Sequence, residues 1–147
     1  MRPDANRNMA TVVRNYLDWI GEEGHEAFFA GVVQRSGNDP HTIFDTLYRE
    51  MPVLSFGRLA KFDYLSLVGR YGIAPIAAGS AYLDGATGPA RGARLLFDGD
   101  AESSTPNSEL QSRLWELDGS IQVGMTIMED ALCNWQKSPT AFVHFRG

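Results

Sequence analysis

The sequence predicts a mainly α-helical protein. Two observations carry that expectation. Apolar residues recur at three- and four-residue steps through most of the chain, and clusters of Gly, Pro, Asn, Asp and Ser punctuate those stretches. A third observation bounds it: 147 residues with 44% apolar content support one domain with a real core and exclude a wholly disordered chain.

The elements follow in order. Residues 9–20 place Val12, Val13, Tyr16, Leu17 and Ile20 at helical spacing, and Gly21 and Gly24 then punctuate the chain. A second short helix carries Phe28, Phe29, Val32 and Val33 and leaves through Ser36-Gly37-Asn38-Asp39-Pro40. Asp39 is the expected N-cap of a third helix, with Pro40 at its first position. That helix buries Ile43, Phe44, Leu47 and Tyr48 and ends near Met51-Pro52, since a residue before proline is pushed out of the α region. Residues 58–70 read as a fourth helix with Leu59, Phe62, Leu65 and Leu67 or Val68 as its buried stripe; Gly69 and Gly72 bracket its end.

Residues 79–92 hold Gly79, Gly85, Gly88, Gly92 and Pro89 and read as a turn-rich loop. Arg94-Leu95-Leu96-Phe97 is too short to classify, and residues 98–108 read as a flexible polar loop. Leu110, Leu114, Leu117, Ile121, Met125, Met128, Leu132 and Trp135 then form a helical seam. Gly119 and Gly124 each weaken its middle by about 1 kcal/mol relative to alanine, so a bend or two helices are expected.

Charge and cysteine content exclude several classes. The 18 acidic and 13 basic residues leave a net charge of −5, which disfavours indiscriminate polyanion binding. Residues 51–97 run the other way: Arg58, Lys61, Arg70, Arg91 and Arg94 stand against Asp63 and Asp84 alone, a balance suited to a short, focused phosphate contact. The single cysteine, Cys133, excludes an internal disulfide framework and a multi-cysteine zinc site. It is expected to be an inert packing thiol beside Leu132 and Trp135. His25, His41 and His144 are far apart and lack ligand spacing, so no metal or other cofactor is expected. No apolar run is long enough to span a bilayer, and Met1–Asn8 lacks the apolar middle of a signal peptide, so a reducing cytosol is the expected location.

Two segments carry candidate chemistry. In Gly85-Ala-Thr-Gly-Pro-Ala-Arg-Gly-Ala-Arg94, glycine amides and two arginines are compatible with a phosphate cradle, and equally with a structural loop. Around Ser55-Phe56-Gly57, one helix ends at Pro52 and another starts at Arg58. Such a turn presents amides at a helix N-terminus, and Gly57, Arg58 and Lys61 are the candidates to hold a nucleic-acid phosphate without reading a base. Gly57 is expected to adopt a positive φ and to keep its amide available.

This segment resembles the helix-hairpin-helix of base-excision DNA glycosylases, whose pattern runs Leu-Pro-Gly-Val-Gly-x-x-Thr-Ala. Leu54, Phe56, Gly57, Arg58 and Ala60 match in kind, and Ser55 stands where the first glycine is expected. Tyr71-Gly72-Ile73-Ala74-Pro75-Ile76 resembles the stretch leading to the catalytic aspartate of that superfamily. Aligned on it, the aspartate position falls near Gly79, and Leu59 replaces the lysine of lyase-type members. Ordinary glycosylase or lyase chemistry is therefore not implied.

A divergent branch fits better. Phe56-Gly-Arg-Leu-Ala-Lys-Phe-Asp-Tyr-Leu65, Gly79 through Phe97, and Glu129-Asp-Ala-Leu-Cys-Asn-Trp135 resemble the α-glutamyl/putrescinyl thymine pyrophosphorylase family, clade 3, over most of residues 40–137. The resemblance implies a helix-hairpin-helix, DNA-glycosylase-like helical domain in a bacterial or phage-infected cytosol. It implies action on hypermodified thymine in DNA: transfer of an amino acid or polyamine to an activated 5-hydroxymethyl group, or excision of the modified base. Under that reading Arg91 and Arg94 face the departing oxyanion, and Asp63 or Asp84 orients or deprotonates the amine. The same two carboxylates also read as an exposed helix residue and a turn residue. Two alternatives stand beside it: a non-catalytic DNA-binding module, and a protein-interaction domain using the 110–135 seam.

Overall fold

A computed structural model describes residues 8–141. They form seven α-helices: α1 (Met9–Ile20), α2 (Gly24–Ser36), α3 (Pro40–Glu50), α4 (Arg58–Arg70), α5 (Thr87–Asp98), α6 (Asn107–Ile121) and α7 (Met125–Trp135). No strand occurs among the described residues. The chain divides into two compact units, Met1–Ala78 and Gly79–Gly147. His144, one of the three histidines weighed above, lies outside the described residues.

The first unit follows its sequence signals closely. The Asn8 carboxamide accepts from Thr11 N–H at 2.8 Å and caps α1. The Asp39 carboxylate accepts from Thr42 N–H at 2.8 Å, with Pro40 opening α3, and Met51 ends that helix directly before Pro52. Val32, Ile43, Phe44, Leu47, Phe62 and Leu65 fill the core, with Phe44 and Phe62 edge to face at 5.9 Å. Leu59 and Leu67, expected in the buried stripe of α4, are exposed, and Phe62, Leu65 and Val68 take the core. The two glycines at the end of α4 serve different needs. Gly72 takes φ 68°, letting Ile73 N–H reach Val68 O and its own N–H reach Gly69 O, the paired bonds of a Schellman end. Gly69 permits close approach, since a Cβ there would lie 2.2 Å from Ile76 O.

A polar thread joins three helices of this unit. Tyr16 Oη lies 2.6 Å from His25 Nε2 and 2.7 Å from Tyr64 Oη, linking α1, α2 and α4. Burial, reinforced by Tyr16, pushes the Tyr64 hydroxyl well above the usual tyrosine range, so it acts as a neutral hydrogen-bonding group.

The second unit corrects the expected glycine-rich loop. Residues 79–86 are non-helical, but Thr87–Asp98 is helix α5. Its glycines are a packing face rather than turn formers: a Cβ on Gly88 would lie 2.8 Å from Cys133 Sγ, and one on Gly92 would lie 2.4 Å from Leu132 O. Spaced four apart on one helical face, they let α7 close onto α5. Local reading sees glycine as a helix breaker; the tertiary approach repays its intrinsic penalty of about 1 kcal/mol. Pro89 fits because it lies in the first turn, where no intrahelical donor is lost.

The C-terminal seam splits into two helices, as its glycines imply. The break falls at Gln122–Gly124, where Gln122 takes φ 54° and Gly124 φ 84°. Asp118 Oδ1 accepts from both Val123 N–H, at 2.9 Å, and Gly124 N–H, at 2.7 Å. Leu110, Leu114, Met125, Met128 and Leu132 are buried, so most of the seam is internal core; Ile121 and Trp135 are exposed.

Candidate functional site

The hairpin candidates come together on the first unit. The turn from Met51 to Arg58 is fixed by Phe56 N–H donating to Val53 O at 3.1 Å and by Asn15 on α1, whose Oδ1 accepts from Leu54 N–H at 2.6 Å. Helix α4 opens at Arg58 with no side-chain cap, and its first intrahelical bond runs from Lys61 N–H to Gly57 O. The amides ahead of that bond stand at the positive end of the helix dipole.

Two details differ from expectation. Gly57 has φ −71°, open to any residue, and a Cβ there would meet nothing within 4 Å. Its N–H donates to Ser55 O at 3.1 Å, so that amide is already engaged. The left-handed position is Ser55, at φ 65°, which stands where the hairpin pattern has its first glycine. Turn closure thus places its conformational demand two residues earlier than expected. Ser55→Gly should leave stability unchanged or raise it by up to about 1 kcal/mol. Ser55→Val should cost about 1–2 kcal/mol, because a β-branched residue resists that region. Gly57→Val should stay within about 0.5 kcal/mol of the parent. Urea unfolding of the three variants checks the ordering.

Arg58 and Lys61 share one side of α4, and both approach Tyr48. Lys61 Nζ donates to Tyr48 O at 3.3 Å and lies 5.9 Å from the Tyr48 ring centre. The Arg58 guanidinium lies 5.1 Å from the Phe62 ring centre. Burial raises the Tyr48 hydroxyl, and the Arg58 charge partly offsets the effect. Lys61 therefore also neutralises the carbonyl end of α3. Asp63, two residues after Lys61, is exposed.

The other candidates lie on the second unit. Arg91 and Arg94 are one helical turn apart on α5, off the Gly88–Gly92 face. Arg91 pairs with Glu102 in the connection between α5 and α6. Arg94 Nη2 donates to Asn107 Oδ1 at 2.9 Å, while Asn107 Nδ2 donates to Asp84 Oδ1 at 3.1 Å and Leu83 O at 3.3 Å. Asn107 thus bridges a candidate carboxylate and a candidate cation. Arg94 Nε is buried with no hydrogen-bond partner among the described residues. Asn107 was hidden in the polar segment 98–108; the available signal was its place directly after Pro106 at a helix start.

Asp98 closes the same region. Its carboxylate accepts from Ser103 and from Arg113 Nη1 at 3.1 Å, and Arg113 lies over the Phe97 ring at 4.6 Å. The Ser103 bond is the main cause holding Asp98 below the usual carboxylate range, with Thr105 and Arg113 adding to it. A depressed carboxylate stabilises the fold above its unfolded pKa of about 3.9 and loses that contribution as pH falls through its folded value. Asp98→Asn should therefore lower the melting temperature at neutral pH and reduce its further fall below about pH 4. Melting curves across that range would contradict the assignment if parent and variant ran parallel.

The sequence pattern of alpha-glutamyl/putrescinyl thymine pyrophosphorylase clade 3 matches residues 1–147. The chain belongs to this family. No curated protein and no solved structure matches it. The match extends the resemblance beyond residues 40–137 to include α1 and α2 of this clade 3 chain. Among the described residues, no helix is long and apolar enough to cross a membrane.

Proposed function

We propose that this clade 3 chain is a DNA base-modification protein acting on hypermodified thymine. The full-length family match carries the reading. In the transfer reaction an amine nitrogen attacks the exocyclic methylene carbon of the base, and the C–O bond to the phosphate leaving group breaks. The leaving oxygen takes the bonding pair and the amine loses a proton. Such a base must be reached outside the stack.

The arrangement on the second unit supports this division of labour. Asp84 is exposed and held by Asn107, a position suited to taking the amine proton. Arg94, on the other side of Asn107, and Arg91 suit the developing oxyanion. Asp63 is the alternative base. The start of α4, with Arg58 and Lys61, suits a sequence-independent phosphate contact.

The test is incubation with duplex or single-stranded DNA carrying pyrophosphorylated 5-hydroxymethyl bases, with an amino acid or a polyamine supplied. Digestion and mass analysis of the nucleosides follow. An adduct mass and released pyrophosphate support transfer; an abasic site supports excision. Salt-dependent binding without turnover would replace the enzyme by a DNA-binding module, and no binding to any DNA would sink the nucleic-acid reading altogether.

A further inference from the structure

The Asp84–Asn107–Arg94 bridge has a neighbour that the proposed reaction leaves idle. Among the described residues, four buried side-chain polar atoms lack a hydrogen-bond partner: Ser36 Oγ, Arg94 Nε, Gln111 Oε1 and Gln111 Nε2. Three of the four belong to Arg94 and Gln111. Gln111 follows Asn107 by four residues in α6, so the two share one face of that helix. Helical side chains lean back over the preceding turn, which carries the Gln111 carboxamide toward Asn107 and the guanidinium that Asn107 holds. Buried polar groups in folded proteins are nearly always paired, so three unpaired atoms on two neighbouring side chains call for a cause.

The atoms complement one another. One edge of a guanidinium carries Nε–H and one Nη2–H side by side, a fork that suits two acceptors. On Arg94, Nη2 donates to Asn107 Oδ1 at 2.9 Å, while Nε, the other prong, has no acceptor. Gln111 Oε1 is an acceptor without a donor. Asn107 is meanwhile engaged on its other side, where Nδ2 donates to Asp84 Oδ1 at 3.1 Å and to Leu83 O at 3.3 Å. Movement of Asp84 toward a substrate amine therefore pulls on the group that holds Arg94. Gln111 is free of that coupling. An apolar side chain in its place would also avoid burying an unpaired carboxamide.

We infer that Gln111 is a second station for Arg94. When Asn107 lets go, Arg94 Nε–H donates to Gln111 Oε1, and the guanidinium stays placed on α5. The two stations are alternative pairings of one side chain, so a ligand that engages Asn107 or Asp84 shifts the balance between them. In the transfer reaction, on which this part of the inference rests, Gln111 is a positioning residue: it keeps Arg94 beside the departing oxyanion while Asn107 follows Asp84.

The test is a double-mutant cycle on the full chain with Asn107→Ala and Gln111→Met, the second of which keeps the side chain's length and removes its polar atoms. In the parent, Gln111→Met should raise the melting temperature by roughly 2–6 °C, because it removes two unpaired buried atoms. In the Asn107→Ala chain the same change should lower it by a similar amount, because Arg94 then loses its remaining acceptor. The Arg94 Nε–H signal in NMR should be protected from exchange in Asn107→Ala and lose that protection in the double variant. Equal stabilisation in both backgrounds, or destabilisation of the parent, overturns the second station. On modified-thymine DNA, Gln111→Met should slow single turnover about tenfold or more with duplex affinity unchanged. An unchanged rate overturns the positioning role. Absence of turnover in the parent sinks the reaction and that role together, while the stability cycle, which needs no DNA, still decides the second station.

Discussion

Gly92→Ala should destabilise the protein by about 1–3 kcal/mol, even though alanine is the better helix former by about 1 kcal/mol. The added Cβ would lie 2.4 Å from Leu132 O and 2.8 Å from Leu132 C, both backbone atoms that cannot swing aside. Helix α7 must therefore move off α5, and the buried contacts of Ala90, Ala93, Met128 and Leu132 loosen with it. Gly88 tests the same contact differently. Its obstructing atom is the Cys133 sulfur, at 2.8 Å, so Gly88→Ala should destabilise alone and recover when Cys133→Ala is added. Cys133→Ala by itself should cost little stability and no activity, as expected for a packing thiol. Chemical unfolding of the four chains measures the coupling. Equal stability of Gly92→Ala and the parent would remove the close-approach account of these glycines.

Replacing Arg91 and Arg94 together by alanine should lower turnover on modified-thymine DNA by about 10²–10³-fold while changing duplex affinity far less. Donors aimed at charge that develops late in the reaction contribute to rate more than to ground-state binding. Arg58→Ala with Lys61→Ala should do the reverse, weakening binding similarly across sequences and flattening the salt dependence by roughly one to two unit slopes. Lys61 also holds Tyr48 O, so melting curves of this pair must accompany the titration. Asn107→Asp sharpens the first comparison: it keeps an acceptor for Arg94 but sets a carboxylate against Asp84. Single-turnover rates and salt titrations on the same DNA separate the two sets. Loss of affinity with unchanged rate in the Arg91/Arg94 pair would reassign them to DNA binding.

The sequence by itself determined the first four helices, the Asp39 cap of α3 and the division of the C-terminal seam. Each of those features is local: an Asp39 side chain beside the amide it caps, a proline ring forbidding the helix before Pro52, an apolar stripe at helical period. It also placed the family, through runs of residues that needed no folded chain to be compared. The tertiary structure alone decided α5, because glycine's intrinsic penalty is visible along the chain and the approach of Leu132 and Cys133 that repays it is not. It moved the strained turn position from Gly57 to Ser55, since φ depends on how the turn closes and not on residue type alone. It made Asn107 the bridge between Asp84 and Arg94, positions 23 and 13 residues from it. Distances between side chains so far apart in sequence are set by packing, which no local pattern encodes.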